Sequence, residues 1–279
     1  MLDIIKDSLL DVLKLIPFLF IAFLFLEYIE HKMSKKNEKI LVNNKKIGPI
    51  AGGVLGAFPQ CGFSAMATKL FSSRVITLGT LIAVYLSTSD EMLPIMLSNG
   101  TNILTILKII GIKVLIGIIM GFIIDLIYKK KKEKHSIHEE CEKEHCHCED
   151  GILKSSLRHT LSIIVYLLIT ILILNTVIYY VDEDNIENFL LNNKGTYFIS
   201  SLIGLIPNCA SSVIMTEIYT EGLCSFGFLI SGLLTGAGVG LLVLFKTNKS
   251  IKENVLIIIL LYVIGVIFGY LIDLVGIIV

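Results

Sequence analysis

Gly56-Ala57-Phe58-Pro59-Gln60-Cys61-Gly62-Phe63-Ser64 returns as Gly204-Leu205-Ile206-Pro207-Asn208-Cys209-Ala210-Ser211-Ser212, and the two prolines are 207 − 59 = 148 residues apart. The same offset pairs Lys6 with Lys154, Ser8 with Ser156, Thr68 with Thr216, Gly79 with Gly227, Gly117 with Gly265, Gly121 with Gly269 and Asp125 with Asp273, without a gap. Solenoid repeats have far shorter periods. The chain therefore reads as two homologous halves, 1-128 and 151-279, joined by a linker, 129-150. Duplication with proline-broken apolar segments at matching positions points to a membrane transporter and to where its substrate binds.

Hydrophobic residues make up 54% of the 279-residue chain, and the mean hydropathy is +0.80, well above the range of a water-soluble domain. Segments 8-30, 75-98, 103-128, 157-181, 223-245 and 254-278 are long enough to span a bilayer, which takes about 20 residues. Four further apolar pieces, 47-58, 60-71, 195-206 and 208-219, hold about 12 residues each and meet at Pro59 and Pro207. A helix of that length rises about 18 Å, roughly half the hydrocarbon thickness. Each pair is expected to form a re-entrant or broken-helix hairpin, giving an all-α integral membrane protein of about ten helical segments. The first apolar segment is span-length and lacks a small-residue cleavage site, so no cleaved leader is expected.

Loop charges set an expected orientation, because Lys and Arg accumulate on the cytoplasmic side. The loop 31-46 carries Lys32, Lys35, Lys36, Lys39, Lys45 and Lys46, whereas its mate 179-194 carries Asp182, Glu183, Asp184 and Glu187. Lys69 and Arg74 follow the first hairpin where Glu217 and Glu221 follow the second, and Lys246, Lys249 and Lys252 face an uncharged mate at 98-104. These contrasts fit an inverted-topology repeat in a cell membrane, with both termini outside and the linker 129-150 cytoplasmic. The formal charge of zero and the confinement of basic residues to short loops give no nucleic-acid surface.

Pro59-Gln60-Cys61 and Pro207-Asn208-Cys209 stand at the hairpin turns, which an inverted two-fold brings together near the midplane. A helix starting there offers free N–H groups, and a helix ending there offers free carbonyls. Ser64 and Ser212 add hydroxyls one turn along. Prolines that only kink helices and cysteines that only fill space are the plain alternative. Ser87-Thr88-Ser89-Asp90-Glu91 interrupts span 75-98 and puts two carboxyl groups where ionisable groups are costly and mark an ion or proton path, unless they reach water at a helix end. The mate, Thr235-Gly236-Ala237-Gly238-Val239, replaces acids by glycines, and Pro94 is expected to help break the first of these helices. Gly232, Gly236 and Gly240 read as a close-packing face. Asp125 and Asp273 read as structural, Asp125 lying one turn from Lys129; Met66, Met92, Met96, Met215 and Cys224 read as core.

The linker gathers His135, His138, Cys141, His145, Cys146, His147 and Cys148, four of six histidines and three of six cysteines. Such tracts bind transition metals and stay reduced in the cytosol, although no zinc-finger spacing is present and a solvated charged tether is the alternative.

At Phe58-Pro59-Gln60-Cys61-Gly62-Phe63-Ser64, Ser87-Thr88-Ser89-Asp90-Glu91 and Leu205-Ile206-Pro207-Asn208-Cys209-Ala210 the chain resembles a ten-transmembrane heavy-metal exporter family whose members carry the labels arsenic efflux protein or manganese transporter. The resemblance spans essentially the whole chain and implies an efflux permease with ten helical segments. Soft arsenic would take Cys61, Cys209 and Cys224, whereas a hard ion such as manganese would take Asp90, Glu91, Gln60 and Asn208. Half-helix N-termini would also suit a small organic or oxyanionic solute exchanged for protons. No Walker A motif is present, so ion exchange by alternating access is expected, with no cofactor beyond a coupling proton or cation. The partners expected are the lipid bilayer, the metal, metalloid or small-solute cargo and, in an oligomer, further copies of the chain. Catalysis is disfavoured because His31 and His159 lie near span ends and no His stands deep inside a span as base for Cys61 or Cys209; a passive channel stays open.

Overall fold

The computed structural model describes residues 47–58, 61–89, 92–128, 196–207 and 209–276, with isolated helical positions between 13 and 24 and between 157 and 172; at 61, 209 and 210 it describes backbone alone. Loops 31-46 and 179-194, the linker 129-150, and Pro59, Gln60, Asp90, Glu91 and Asn208 lie outside the described residues. Every regular element among those described is helical: α1 (Gly48–Gly56), α2 (Cys61–Ser72), α3 (Leu78–Ser87), α4 (Met92–Ser98), α5 (Ile103–Ile127), α6 (Thr196–Gly204), α7 (Cys209–Thr220), α8 (Phe226–Thr235), α9 (Val239–Thr247) and α10 (Ile251–Val275).

Adding 148 to the bounds of α1, α2, α3 and α5 gives those of α6, α7, α8 and α10, for example 48 + 148 = 196 and 127 + 148 = 275. Only α9 departs, gaining one residue at each end over α4 shifted to 240–246. The two expected spans 75-98 and 223-245 each divide, into α3 with α4 and α8 with α9. Pro94 sits in the first turn of α4, where a missing N–H costs nothing, and it has no N–H with which a continuous helix could bond back to position 90, so it accords with the break that begins at Thr88.

α5 and α10 are 25 residues each, about 37 Å long, and are apolar enough to cross a membrane, as is Phe226–Thr247 taken through its break. The apolar window of Phe226–Thr247 is 89% buried, against 28% and 33% for α5 and α10, so the broken helix is central and the unbroken ones peripheral. Their outer faces expose Leu107, Leu115, Ile119 and Ile123 on α5 and Val255, Ile259, Val263 and Ile267 on α10 at near four-residue spacing. Such stripes are too large for a water-facing surface and are at home against lipid.

Opposite those stripes, glycine brings the helices together. A Cβ on Gly79 would lie 2.1 Å from the Gly121 carbonyl oxygen, and one on Gly227 2.2 Å from that of Gly269. α3 and α8 pass along α5 and α10 through these pairs, every residue of both buried. Carboxylates finish the same crossings. Asp125 accepts hydrogen bonds from Gly79 N (2.9 Å) and Thr77 Oγ1 (2.6 Å); Asp273 accepts from Gly227 N (2.7 Å), Tyr197 OH (2.7 Å) and Ser225 Oγ. Thr77 and Ser225 in turn cap α3 and α8 through Thr80 N and Phe228 N, each 3.2 Å. The structural role read for both aspartates is thus capping of a neighbouring helix start, while Lys129, the partner named for Asp125, lies outside the described residues.

Each half forms its own packing unit, α1 with α3 and α5, and α6 with α8 and α10. Between the halves α2 packs along α9 and α7 against α4, while α3 meets α8 at the centre. The turns after α2 and α7 share a left-handed position, Arg74 (φ 59°) and Gly222 (φ 76°). Arginine accepts this glycine-type conformation where it forms an ion pair with Glu253 of the other half, 2.8 Å apart.

Candidate functional site

Two helix breaks at matching positions lie at the heart of the molecule. In the first, α3 ends at Ser87 and Thr88 turns away into extended backbone, its N–H still reaching the Val84 carbonyl at 3.0 Å. In the second, α8 ends at Thr235, and Gly238 adopts φ 53°, ψ −140°, open only to glycine, before α9 begins. The position of Gly238 in the first half is Asp90, so the acid and the strained glycine are equivalent residues (238 − 148 = 90).

Of the residues singled out from sequence, Ser64 is fully buried in the first turn of α2, and Ser212, its mate, is half-buried in α7. Ser87 Oγ donates to the carbonyls of Ala83 (2.8 Å) and Val84 (3.0 Å), and Thr88 Oγ1 donates to that of Val84 (2.8 Å). Both hydroxyls thus satisfy the last turn of their own helix, and what the break presents is backbone carbonyl. Pro207 lies in the bend after α6, across which Ser211 Oγ donates to Ile206 O (3.4 Å). At the matching bend Phe58 and Phe63 hold the chain by a ring contact of 5.8 Å.

The second break is tied to the first half by a buried polar network. Thr68 Oγ1 and Tyr85 OH lie 2.6 Å apart and both reach the Gly240 carbonyl, at 3.2 and 3.1 Å. A Cβ on Gly240 would sit 2.8 Å from the Tyr85 ring and 3.0 Å from Ser64 Cβ, so this glycine is where α2, α3 and α9 converge. Gly232 similarly admits Met215 and Ser200, whereas Gly236 has nothing closer than 3.6 Å. The close-packing role read for the glycine series therefore holds at Gly232 and Gly240, and Gly236 instead belongs to the break. Met92, Met96 and Met215 are core, as expected.

Sequence reading missed Tyr85 and Lys113. Lys113, in the middle of α5, is fully buried, and its Nζ donates to the Thr88 carbonyl at the end of α3. Lys113 thus adds a buried charged residue that the sequence reading did not place in the interior. The mates of Tyr85 and Lys113 are Leu233 and Leu261. That contrast was the available signal: a polar residue in one half where the other half is aliphatic. Cys224 lies half-buried in the turn before α8. Among the described residues no three His, Cys, Asp or Glu side chains gather as a metal cluster.

The model of the family described as "Putative, 10TM heavy-metal exporter" matches residues 1–162 and 148–277. The chain belongs to this family. No curated protein and no solved structure matches it. Membership in the heavy-metal exporter family makes this a multi-pass membrane protein and accords with the lipid-facing stripes on α5 and α10.

Proposed function

We propose that the protein is a secondary-active permease exporting a heavy metal or metalloid by alternating access, with the cargo held between the two helix breaks and the hairpin turns. The observation that carries this reading is the matched pair of breaks at the buried centre, each flanked by a half-helix from the opposite half, α2 on α9 and α7 on α4. Broken helices contributing carbonyl and N–H ends at such a place are how transporters hold ions without water. The first half would supply side-chain charge through Asp90, Glu91 and Lys113, and the second would supply backbone through Gly236–Gly240. Cys61 and Cys209 head α2 and α7 and would give the site its softness; Gln60, Ser64, Asn208 and Ser212 would add oxygens.

In this reading the halves 1-128 and 151-279 are an inverted repeat in a cell membrane, with both termini outside, the linker inside and 47-71 and 195-219 as re-entrant hairpins. The opposite charges of loops 31-46 and 179-194 support it. The His/Cys-rich linker would collect or sense metal at the cytoplasmic mouth. A second reading, proton-coupled export of a small organic or oxyanionic solute, is favoured by one observation, the buried Lys113 ammonium.

Metal content and growth of cells with and without the protein, across Mn²⁺, Cd²⁺, Zn²⁺, arsenite and methylated arsenicals, test the proposal. Export predicts resistance to one class and lowered cell content of that element alone. Unchanged content across the whole panel would reject it in favour of the solute reading.

A further inference from the structure

Lys113 is the only lysine or arginine fully buried among the described residues. It stands ten residues into a 25-residue helix, about 15 Å from its start, close to mid-depth if α5 crosses the bilayer. Its Nζ reaches the Thr88 carbonyl, the capping position of α3, where a helix gathers its unpaired carbonyls and the negative end of its dipole. Because Ser87 and Thr88 spend their hydroxyls on Ala83 and Val84, this helix end offers a cation backbone carbonyls, and the lysine already holds that of Thr88. Gly117, one turn on, makes the approach possible: a Cβ there would lie 2.9 Å from the Ala83 carbonyl oxygen.

We propose that Lys113 is a tethered counter-cation, holding the carbonyl end of α3 while the carrier is empty and withdrawing when a cargo cation binds at that break. The proposal rests on the export reading above and adds what competes with the cargo. A metal ion and an ammonium cannot share one carbonyl in a medium of low dielectric, so binding is an exchange of one positive charge for another. The arrangement spares the empty carrier an uncompensated negative helix end in the membrane interior. Lysine suits the task because its four-carbon stem can swing a compact charge aside, which a planar guanidinium cannot do as freely. The second half shows that the fold does not need the charge: the matching position is Leu261, buried in the same helix face.

The test compares purified full-length wild type with K113L, K113Q and K113R, titrating Mn²⁺ and Cd²⁺ by calorimetry in detergent and measuring turnover in proteoliposomes. K113L, which copies the second half, and K113Q should bind the transported ion at least about tenfold more tightly, yet turn over more slowly because release lacks its competitor. K113R should bind no more tightly than wild type. A lysine with only a packing role would instead lower binding and thermal stability together, and that result overturns the proposal. If the neutral variants bind no better while wild type still transports the ion, the counter-cation role is wrong and the export reading stands. If wild type neither binds nor moves either ion and K113L weakens arsenate binding, both the proposal and the cation reading fall in favour of an anionic cargo.

Discussion

Replacing Gly227 by alanine should cost the protein more than its single methyl suggests. The new Cβ would lie 2.2 Å from the Gly269 carbonyl oxygen and 2.6 Å from Asp273 Cγ. The first obstacle is backbone, so no rotamer change relieves it, and α8 must move from α10 by about 1 Å to reach an ordinary contact. Overpacking of this kind costs about 1–3 kcal/mol. The shift also stretches the 2.7 Å bond from Gly227 N to Asp273, a charge-assisted bond worth about 1.5–3 kcal/mol. Against these, alanine gains about 1 kcal/mol over glycine within a helix. The net loss is about 1.5–5 kcal/mol, an apparent Tm lower by about 3–20 °C for a chain of this size. Gly79→Ala meets the Gly121 carbonyl oxygen at 2.1 Å and should behave alike. Gly111→Ala, on α5 with nothing within 4 Å, should be neutral or slightly stabilising. Thermal unfolding of the purified variants, read by size-exclusion retention, decides. Equal tolerance of Gly227→Ala and Gly111→Ala, or tolerance at 227 but not at 79, would refute the matched helix crossings.

Asp273→Asn should destabilise more than Asp125→Asn, by about 1 kcal/mol in the same assay, because Asp273 accepts from three donors and Asp125 from two. Arg74→Gln removes the ion pair that Arg74 makes with Glu253 across the two halves (2.8 Å), and should cost about 1–3 kcal/mol. The Arg74→Gln, Glu253→Gln double variant should recover part of that loss, and a double-mutant cycle with no coupling would contradict the cross-half pair. Deleting 135-148 should leave the retention profile unchanged and alter metal sensitivity only modestly; complete loss of transport by a well-inserted deletion would move the site into the linker.

The helices themselves were largely legible. The 12-residue pieces and the long last segment of each half correspond to α1, α2, α5, α6, α7 and α10 within about three residues, because proline, glycine and length punctuate apolar sequence strongly. The break at Ser87–Glu91 was visible for the same reason: polar residues do not sit unprompted within a span. Lys113 was not visible, since two lysines and one aspartate among mostly aliphatic residues leave α5 a convincing span, and only tertiary packing shows the Lys113 side chain turned inward. The partners of Asp125 and Asp273 lie 46, 48 and, for Tyr197, 76 residues away, pairings that no local rule reaches. Tyr85 escaped for a related reason, its partners Thr68 and Gly240 coming from two other helices and both halves.

Transport against a gradient tests the central claim most directly. Proteoliposomes holding the purified protein, with the metal identified from the cell profile equal on both sides and an imposed proton gradient, should move that metal uphill, and Asp90→Asn or Glu91→Gln should abolish the uphill movement while leaving protein insertion intact. Flux that only dissipates a metal gradient would contradict the account and describe a passive pore; uphill flux undiminished in both acidic variants would reject the coupling role given to the first break.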